Sequence, residues 1–288
     1  MDVQAAISVI GRRTRAQRDH ELVQRADLLV IATDAWRLNL RNCHLASANF
    51  DGLDFSHARF EDSAMQNASL KYAELSNSSF VGAHLEDACL DRANLAGTDL
   101  NQAHLEGTKF RECNMEGVSF EGATLWGTDF LRARLVQARL GKVSLAGVSL
   151  REARLDGAIL DQAYLMQGPW LTQDSSLEGA HFEGASLSGA IVDNSISRAT
   201  TLIDIRVDGA DLTAANGLEQ AHLDQAWGND NTKVPAHLSR PANERWLVAG
   251  ADRPAQQAWF GRWLARRNYW LAEAAKRSGA ETPGEDRH

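Results

Sequence analysis

From residue 40 to residue 165, every fifth position holds Leu, Phe or Met, twenty-six times without an exception. If these types fill about a fifth of an ordinary chain, chance does not produce such a run. A five-residue period suits neither an α-helix, where five residues advance about 500°, nor a flat strand, where an odd period alternates between faces. The chain must therefore turn a corner every five residues and send each fifth side chain, which we call the central residue, to a common axis.

Two further positions of the repeat have a restricted composition. Two residues before each central residue from Leu45 to Leu165 the side chain is small, as at Ala48, Ala58 and Ser63, with Leu53 as the one large exception. A second inward position that accepts small side chains implies a narrow and fully packed core. Two residues after each central residue, Gly and Asn are frequent, as expected for turns with unusual backbone angles.

The consensus of the run is A(D/N)Lxx, seen at residues 93–97 and 103–107. In this pattern the chain resembles the pentapeptide-repeat family, over residues 38–226. The resemblance implies an all-β solenoid, a right-handed quadrilateral β-helix with four pentapeptides per coil and the central residues inside. About nine coils, stacked at the strand spacing of about 4.8 Å, would form a rod on the order of 40 Å long.

The repeat is interrupted twice. After Leu165 the period resumes two residues out of phase at Leu177, and the loop at residues 168–174 lies between. We expect an insertion near residues 168–176, which is either a binding element or an accommodated loop. After Leu212 a single-residue slip brings Leu218 and Leu223 into the central positions.

Both ends of the chain have helical patterns. Residues 1–37 form a predicted helical cap or lead-in, and residues 227–288 form a predicted linker with Trp-rich helices. The two C-terminal helices are predicted at Pro241–Val248 and Pro254–Arg277, since Pro is favoured in a first helical turn. The polar residues after Ser278 have the composition of a disordered tail.

The second C-terminal helix gathers a cluster of aromatic residues. A solenoid exposes unpaired strand edges at its ends, and capping elements normally cover them. One interpretation is therefore that both helical ends are caps. The alternative is a docking or homodimer face on this helix, because the Qnr-type members of the family dimerise through C-terminal elements. The residues of this candidate face are Trp259, Phe260, Trp263 and Trp270.

Composition indicates a compartment and disfavours some partners. No run of eighteen apolar residues is present, so no membrane span is predicted. The N-terminal apolar residues are too few for a signal peptide, and three cysteines fit structural roles in a reducing cytoplasm. The net charge is −8, and residues 34–125 carry fourteen acidic against seven basic side chains. This charge disfavours direct nucleic-acid binding.

Stacking of 20-residue coils places residues twenty apart in one column. Arg92, Glu112, Arg132 and Glu152 share such a column and alternate in sign, which predicts ion pairs between coils. This column is expected to be structural.

A second set of columns holds ligand-type side chains. Glu86 and Glu106 share one column, and His84 and His104 precede them by two residues. Imidazole and carboxylate groups are competent metal ligands. Outward positions on neighbouring columns are expected to diverge, however, so the sequence predicts no metal site and no cofactor.

No catalytic motif is present: the chain has no nucleophile elbow, phosphate-binding Gly loop, HExxH or CxxC sequence. The prediction is a non-enzymatic scaffold that binds another protein of unknown identity. The alternative, carried by the resemblance to Qnr-type proteins, is a DNA-mimicking binder of DNA gyrase or topoisomerase IV that gives quinolone or toxin resistance. Basic residues in the middle coils, such as Arg134 and Arg139, weigh against that alternative.

Overall fold

The computed structural model describes residues 38–165, 187, 191–193, 202–215, 217–247 and 251–279. Over residues 38–165 the chain winds into a parallel solenoid. Single bridges join residues twenty apart, and four such bridges with four turns complete each coil. The predicted all-β solenoid is therefore confirmed in this region. The first four bridges are Asn39↔Arg59, His44↔Ala64, Asn49↔Ser69 and Asp54↔Glu74.

The core of the solenoid is a filled column of central residues. Every central residue from Leu45 to Leu165 is at most 4% exposed. Equivalent rings stack between coils, as for Phe60 and Phe80, whose centroids lie 4.6 Å apart with an interplanar angle of 5°. The corners require a positive φ two residues after each centre, which is 64° at Gly52 but also 58° at Tyr72. The repeat thus imposes the left-handed conformation even on residues other than Gly.

At several second inward positions, a hydroxyl or thiol group donates a hydrogen bond to a backbone carbonyl of the preceding coil. Thr108 Oγ1 donates to the carbonyl of Leu85 at 2.7 Å. Cys113 Sγ donates to the carbonyl of Leu90 at 2.9 Å, and burial raises the pKa of this thiol. These polar side chains are tolerated in the core because each has a partner.

From residue 164 onward, parallel pairing involves strands of two to four residues. Strands β1 (Tyr164–Leu165), β2 (Ile191–Asp193) and β3 (Asp211–Ala214) form a parallel sheet in the order β1-β2-β3. Tyr164 pairs with Ile191, which lies 27 residues later, whereas Ile191 pairs with Asp211 after the regular twenty. One coil is therefore seven residues longer than the others. The predicted loop at residues 168–176 lies outside the described residues, as do residues 1–37 and 280–288.

The last coils differ from the sequence prediction. Helix α1 (Gln220–Gln225) occupies the place where Leu223 was expected as a central residue of a repeat, and it buries that side chain. Parallel pairing also extends past residue 226, because strand β4 (Gly228–Asn229) pairs with strand β5 (Trp246–Leu247). The predicted helix at Pro241–Val248 is wrong: Trp246 enters the core as part of β5 and is 7% exposed.

The second predicted C-terminal helix is confirmed. Helix α2 extends over Arg253–Gly279, close to the predicted range of 254–277. Within the part of the chain that the structure describes, no helix has the length and apolar character needed to cross a membrane.

Candidate interaction faces

The solenoid has four outer faces, each built from every fourth repeat. The residues immediately before, immediately after and two after each central residue point outward. Residues 38–165 carry seventeen acidic and twelve basic side chains, which leaves a net charge of −5. We call face two the outward residues around the central residues Leu45, Met65, Leu85, Leu105, Leu125, Leu145 and Leu165.

Face two differs from the other faces in charge. Between residues 44 and 147 its outward positions hold three acidic side chains, Glu86, Asp87 and Glu106, and no Lys or Arg. The adjacent face, around the central residues from Phe50 to Leu150, instead carries six basic and five acidic side chains. Charge is therefore unevenly distributed around the rod.

The charged column on that adjacent face pairs as predicted. Arg92 Nε donates to Glu112 at 2.9 Å, and Arg132 Nε donates to Glu152 at 2.7 Å. The hydrogen bond from Arg132 lowers the pKa of Glu152. These exposed ion pairs join neighbouring coils. Both arginines thus donate to carboxylates of the same chain.

Five large aromatic side chains are exposed among the described residues, and an arginine of the same chain contacts three of them. The guanidinium of Arg92 lies 5.7 Å from the ring centroid of Tyr72 and donates to its hydroxyl group. Phe260 and Tyr269 on α2 likewise lie beneath arginine side chains. The other two are Trp126, 53% exposed, and Tyr164, 46% exposed, and no described residue makes a ring, cation or hydrogen-bond contact with either side chain. Both of these rings lie on face two.

Trp126 lies beside a lane of glycine corners on face two. Gly107, Gly127 and Gly147 occupy equivalent corners of successive coils with φ of 69°, 71° and 72°. A Cβ atom at Gly147 would lie 3.4 Å from Nε1 of Trp126, so the indole rests against this corner. Asp87 Oδ1 lies against Gly107, whereas a Cβ atom at Gly127 would meet only backbone atoms, so the surface at Gly127 is open to another backbone.

His84, Glu86 and His104 form a cluster farther along face two. His84 and His104 are bridge partners, and their rings stack with centroids 4.4 Å apart and planes within 2°. His84 Nδ1–H donates to Glu86 Oε1 at 3.0 Å. The prediction that these columns diverge is wrong. Residues before and after an inward central residue both point outward from the same strand.

Helix α2 lies along the side of the solenoid. Near its beginning, Trp259 Nε1 donates to the carbonyl of Arg245 at 2.8 Å, and its ring packs edge-on against Trp227 at 6.2 Å. About two helical turns later, Arg267 donates to the carbonyl of Gly157 at 2.9 Å. Because Gly157 and Trp227 belong to different coils, α2 crosses several coils instead of covering one end.

The contact of α2 with the solenoid centres on Asp204. This carboxylate is 0% exposed and occupies a corner with φ of 56°. Arg245 and Arg266 donate to it at 2.6 and 2.9 Å, and the indole groups of Trp227 and Trp270 donate at 3.1 and 2.8 Å. Burial alone would raise the pKa of Asp204. The bonds from Arg266 and the two indoles, with the charge of Arg245, outweigh burial and hold the pKa below its usual range.

The four predicted docking residues face their own solenoid to different degrees. Trp259 and Trp263 are buried at 5% and 3% exposure, and Trp270 is half-buried with its indole on Asp204. Phe260 remains 39% exposed. The aromatic cluster thus holds α2 against the coils, and a homodimer through this helix stays a prediction. Sequence reasoning missed Asp204, which lies in a degenerate repeat and resembles an ordinary exposed corner residue.

The sequence model of pentapeptide repeats matches residues 31–62, 54–87, 61–95, 88–127 and 128–167, with eight copies. The matched residues include the regular coils with 20-residue bridges. The chain belongs to the pentapeptide-repeat family. A comparison with curated protein sequences found no match.

Solved structures of other pentapeptide-repeat proteins are similar to this one. HetL, involved in heterocyst differentiation regulation in the cyanobacterium Nostoc sp. strain PCC 7120, is 28% identical over 73% of this chain and 96% of HetL, with a TM-score of 0.28. QnrB1, a plasmid-mediated fluoroquinolone resistance protein, is 22% identical over 69% of this chain and 91% of QnrB1, with a TM-score of 0.36. A protein of the Arabidopsis thaliana thylakoid lumen is 26% identical over 36% of this chain and 68% of its own, with a TM-score of 0.26. Likeness at these scores supports no inference about function.

Proposed function

We propose that this pentapeptide-repeat protein is a non-enzymatic scaffold that binds a partner protein on face two, with Trp126 and Tyr164 as anchors. The observation that carries the proposal is the contrast among the exposed aromatics. An arginine of the chain itself contacts three of these rings, whereas Trp126 and Tyr164 have no such contact with the described residues.

The chemistry of face two suits protein binding. Trp and Tyr are enriched among residues that dominate binding energy at protein interfaces. The corner at Gly127 beside Trp126, where a Cβ atom would meet no side chain, leaves room for a closely approaching partner. Because face two carries acidic side chains but no Lys or Arg between residues 44 and 147, the fitting partner presents an apolar contact bordered by basic side chains.

A non-enzymatic role is supported by the packing. The central residues fill the axis of the solenoid and leave it without room for a substrate. A shallow surface groove beside Glu121, Arg139 and Asp161 has a volume of about 230 Å³. Small-molecule sites are usually about 300–1,000 Å³ and more enclosed.

Photo-crosslinking at a single position tests the proposal. A photoreactive phenylalanine analogue replaces Trp126 in the full chain, and the matched control carries the same analogue in place of Tyr72 on the adjacent face. The expected result is a discrete protein adduct at position 126 that excess wild-type protein abolishes and excess Trp126→Glu protein does not. Equal adducts at both positions, or none at position 126, would contradict the proposal.

The alternative, DNA mimicry toward gyrase or topoisomerase IV, has weaker support in the charge distribution. Duplex DNA carries one charge per about 1.7 Å, so a segment as long as residues 38–165, about 30 Å, would carry roughly 18 negative charges. The coils have a net charge of −5, with seventeen acidic and twelve basic side chains. Uniform electrostatic mimicry of DNA is therefore disfavoured.

A further inference from the structure

We propose that His84, Glu86 and His104 form a binding site for one divalent transition-metal ion, best suited to Zn²⁺, that joins two neighbouring coils on face two. One ligand atom from each residue lies within 4.8 Å of the others. Two imidazoles and one carboxylate make up a known zinc ligand set, which leaves the fourth position of the tetrahedron for water. The proposal does not depend on the partner-binding role of Trp126.

The ligand atoms need small side-chain movements to reach coordination distance. A tetrahedral zinc ion with bonds of about 2.0–2.1 Å holds its ligand atoms about 3.3 Å apart. The two histidine rings lie parallel, 4.4 Å apart, and are half-buried, so each can tilt toward the other by rotation of its side chain. The backbone bridge between His84 and His104 fixes the spacing of the two ligands before a metal binds.

Two buried carboxylate oxygens provide a second, independent observation. Oε2 of Glu86 and Oε2 of Glu106 are both buried, and no described residue donates a hydrogen bond to either atom. Leaving a buried acceptor without a partner costs free energy, more so when the group is charged. A cation held by His84, Glu86 and His104 would compensate the charge of the Glu86 carboxylate.

We assign Glu106 the role of a positioning residue that orients the ring of His104. It follows His104 by two residues, as Glu86 follows His84. A histidine that binds a metal usually donates its other ring N–H to a carboxylate, which fixes the orientation of the ring. Glu106 is suited to do this for His104, while Glu86 supplies a ligand oxygen.

The charge around the cluster favours a cation. The outward positions of face two between residues 44 and 147 include no Lys or Arg. Asp87 adds a third negative charge beside Glu86 and Glu106. A divalent ion would reduce the charge of these three side chains from −3 to −1 and would remove repulsion between neighbouring coils.

Metal titration of the full chain tests the site. The protein is treated with a chelator and titrated with ZnSO₄ in a calorimeter, and Co²⁺ absorption reports the coordination geometry. The expected result is one ion per chain, tetrahedral Co²⁺ bands and a rise in Tm, because a ligand that binds only the folded state stabilises it. Glu106→Gln should weaken binding about 10- to 100-fold.

The chain offers matched control variants. His84→Ala and His104→Ala should both fold, because Ala already occupies the equivalent position of the preceding coil at Ala64. Each should lose the stoichiometric site, whereas His44→Ala, two coils from His84 in the same column, should bind as the wild type does. No binding by the wild type, or retained binding by the His84→Ala/His104→Ala double variant, would overturn the proposal.

Discussion

Replacing Asp204 by Asn tests how helix α2 is held on the solenoid. The substitution keeps the size of the side chain but removes its charge. In the wild type, four side chains donate hydrogen bonds to the carboxylate: those of Arg245, Arg266, Trp227 and Trp270. In the variant, the NH₂ group of Asn would face some of these donors and could not accept from them. We expect α2 to separate from the coils while the coils stay folded.

The magnitude follows from the burial of the carboxylate. Breaking a buried ion pair by removing one partner costs about 3–5 kcal/mol. The side chain of Asp204 is 0% exposed, but those of Arg245 and Arg266 are 27% and 43% exposed and regain water when the charge is lost. The lower end of the range applies, so the free energy of docking should fall by about 3 kcal/mol. This corresponds to roughly a 150-fold change in the docking equilibrium.

Hydrogen exchange measured by mass spectrometry over residues 253–279 is the assay. Amides of α2 should exchange about 100-fold faster in Asp204→Asn, while amides of residues 50–150 keep their protection. The matched control is Asp211→Asn, which removes a partly exposed ion pair with Lys233 and should change exchange in α2 less than threefold. Exchange of α2 within threefold of wild type in Asp204→Asn would mean that Asp204 does not hold α2 on the coils.

Four further measurements test the role of Asp204, the packing of the core, the burial of the cysteines and the alternative of gyrase binding. The folded pKa of Asp204 is lowered, so its stabilisation is present above the unfolded pKa of about 3.9 and is lost as pH falls through the folded value. Tryptophan emission of the wild type should therefore shift to the red on acidification, and an unchanged spectrum down to pH 2 would contradict this. Phe80→Ala should cost about 3–5 kcal/mol in denaturant unfolding, because the side chain is 0% exposed and stacked; a loss below about 1 kcal/mol would mean a loosely packed core. Iodoacetamide should modify the half-buried Cys89 in the native state and Cys113 only after unfolding, since burial raises the pKa of the latter; native labelling of both would contradict the packing. Purified gyrase should keep its supercoiling activity at micromolar protein, and inhibition would instead favour DNA mimicry.

The five-residue period predicted the regular coils because each position of the repeat has its own packing or backbone requirement. Central residues such as Phe80 must fill the axis, and corners such as Gly147 must adopt a positive φ. The ion pair between Arg92 and Glu112 followed from the same 20-residue stacking. These features depend on position within the repeat alone, so a single sequence contains them.

Features that depend on contacts between distant segments were not predictable in this way. Asp204 meets Arg266 across 62 residues, and no periodic signal connects the two. Trp246 was expected in a helix, but it pairs with Gly228 and enters the core. The residues of the cluster at His84 were identified in the sequence, but their convergence was not predicted. They converge because the side chains immediately before and after an inward residue lie on one face of the solenoid.

The affinity of the partner captured at position 126 shows whether face two is the docking surface. Calorimetry would compare the wild type with Trp126→Ala and with Tyr72→Ala, which truncates an equally exposed aromatic on the adjacent face. If face two is the docking surface, Trp126→Ala should weaken binding at least 30-fold, equivalent to about 2 kcal/mol for a dominant interface residue. Tyr72→Ala should stay within twofold of the wild type. Unchanged affinity in Trp126→Ala, or an equal loss in both variants, would mean that Trp126 does not anchor the partner on face two.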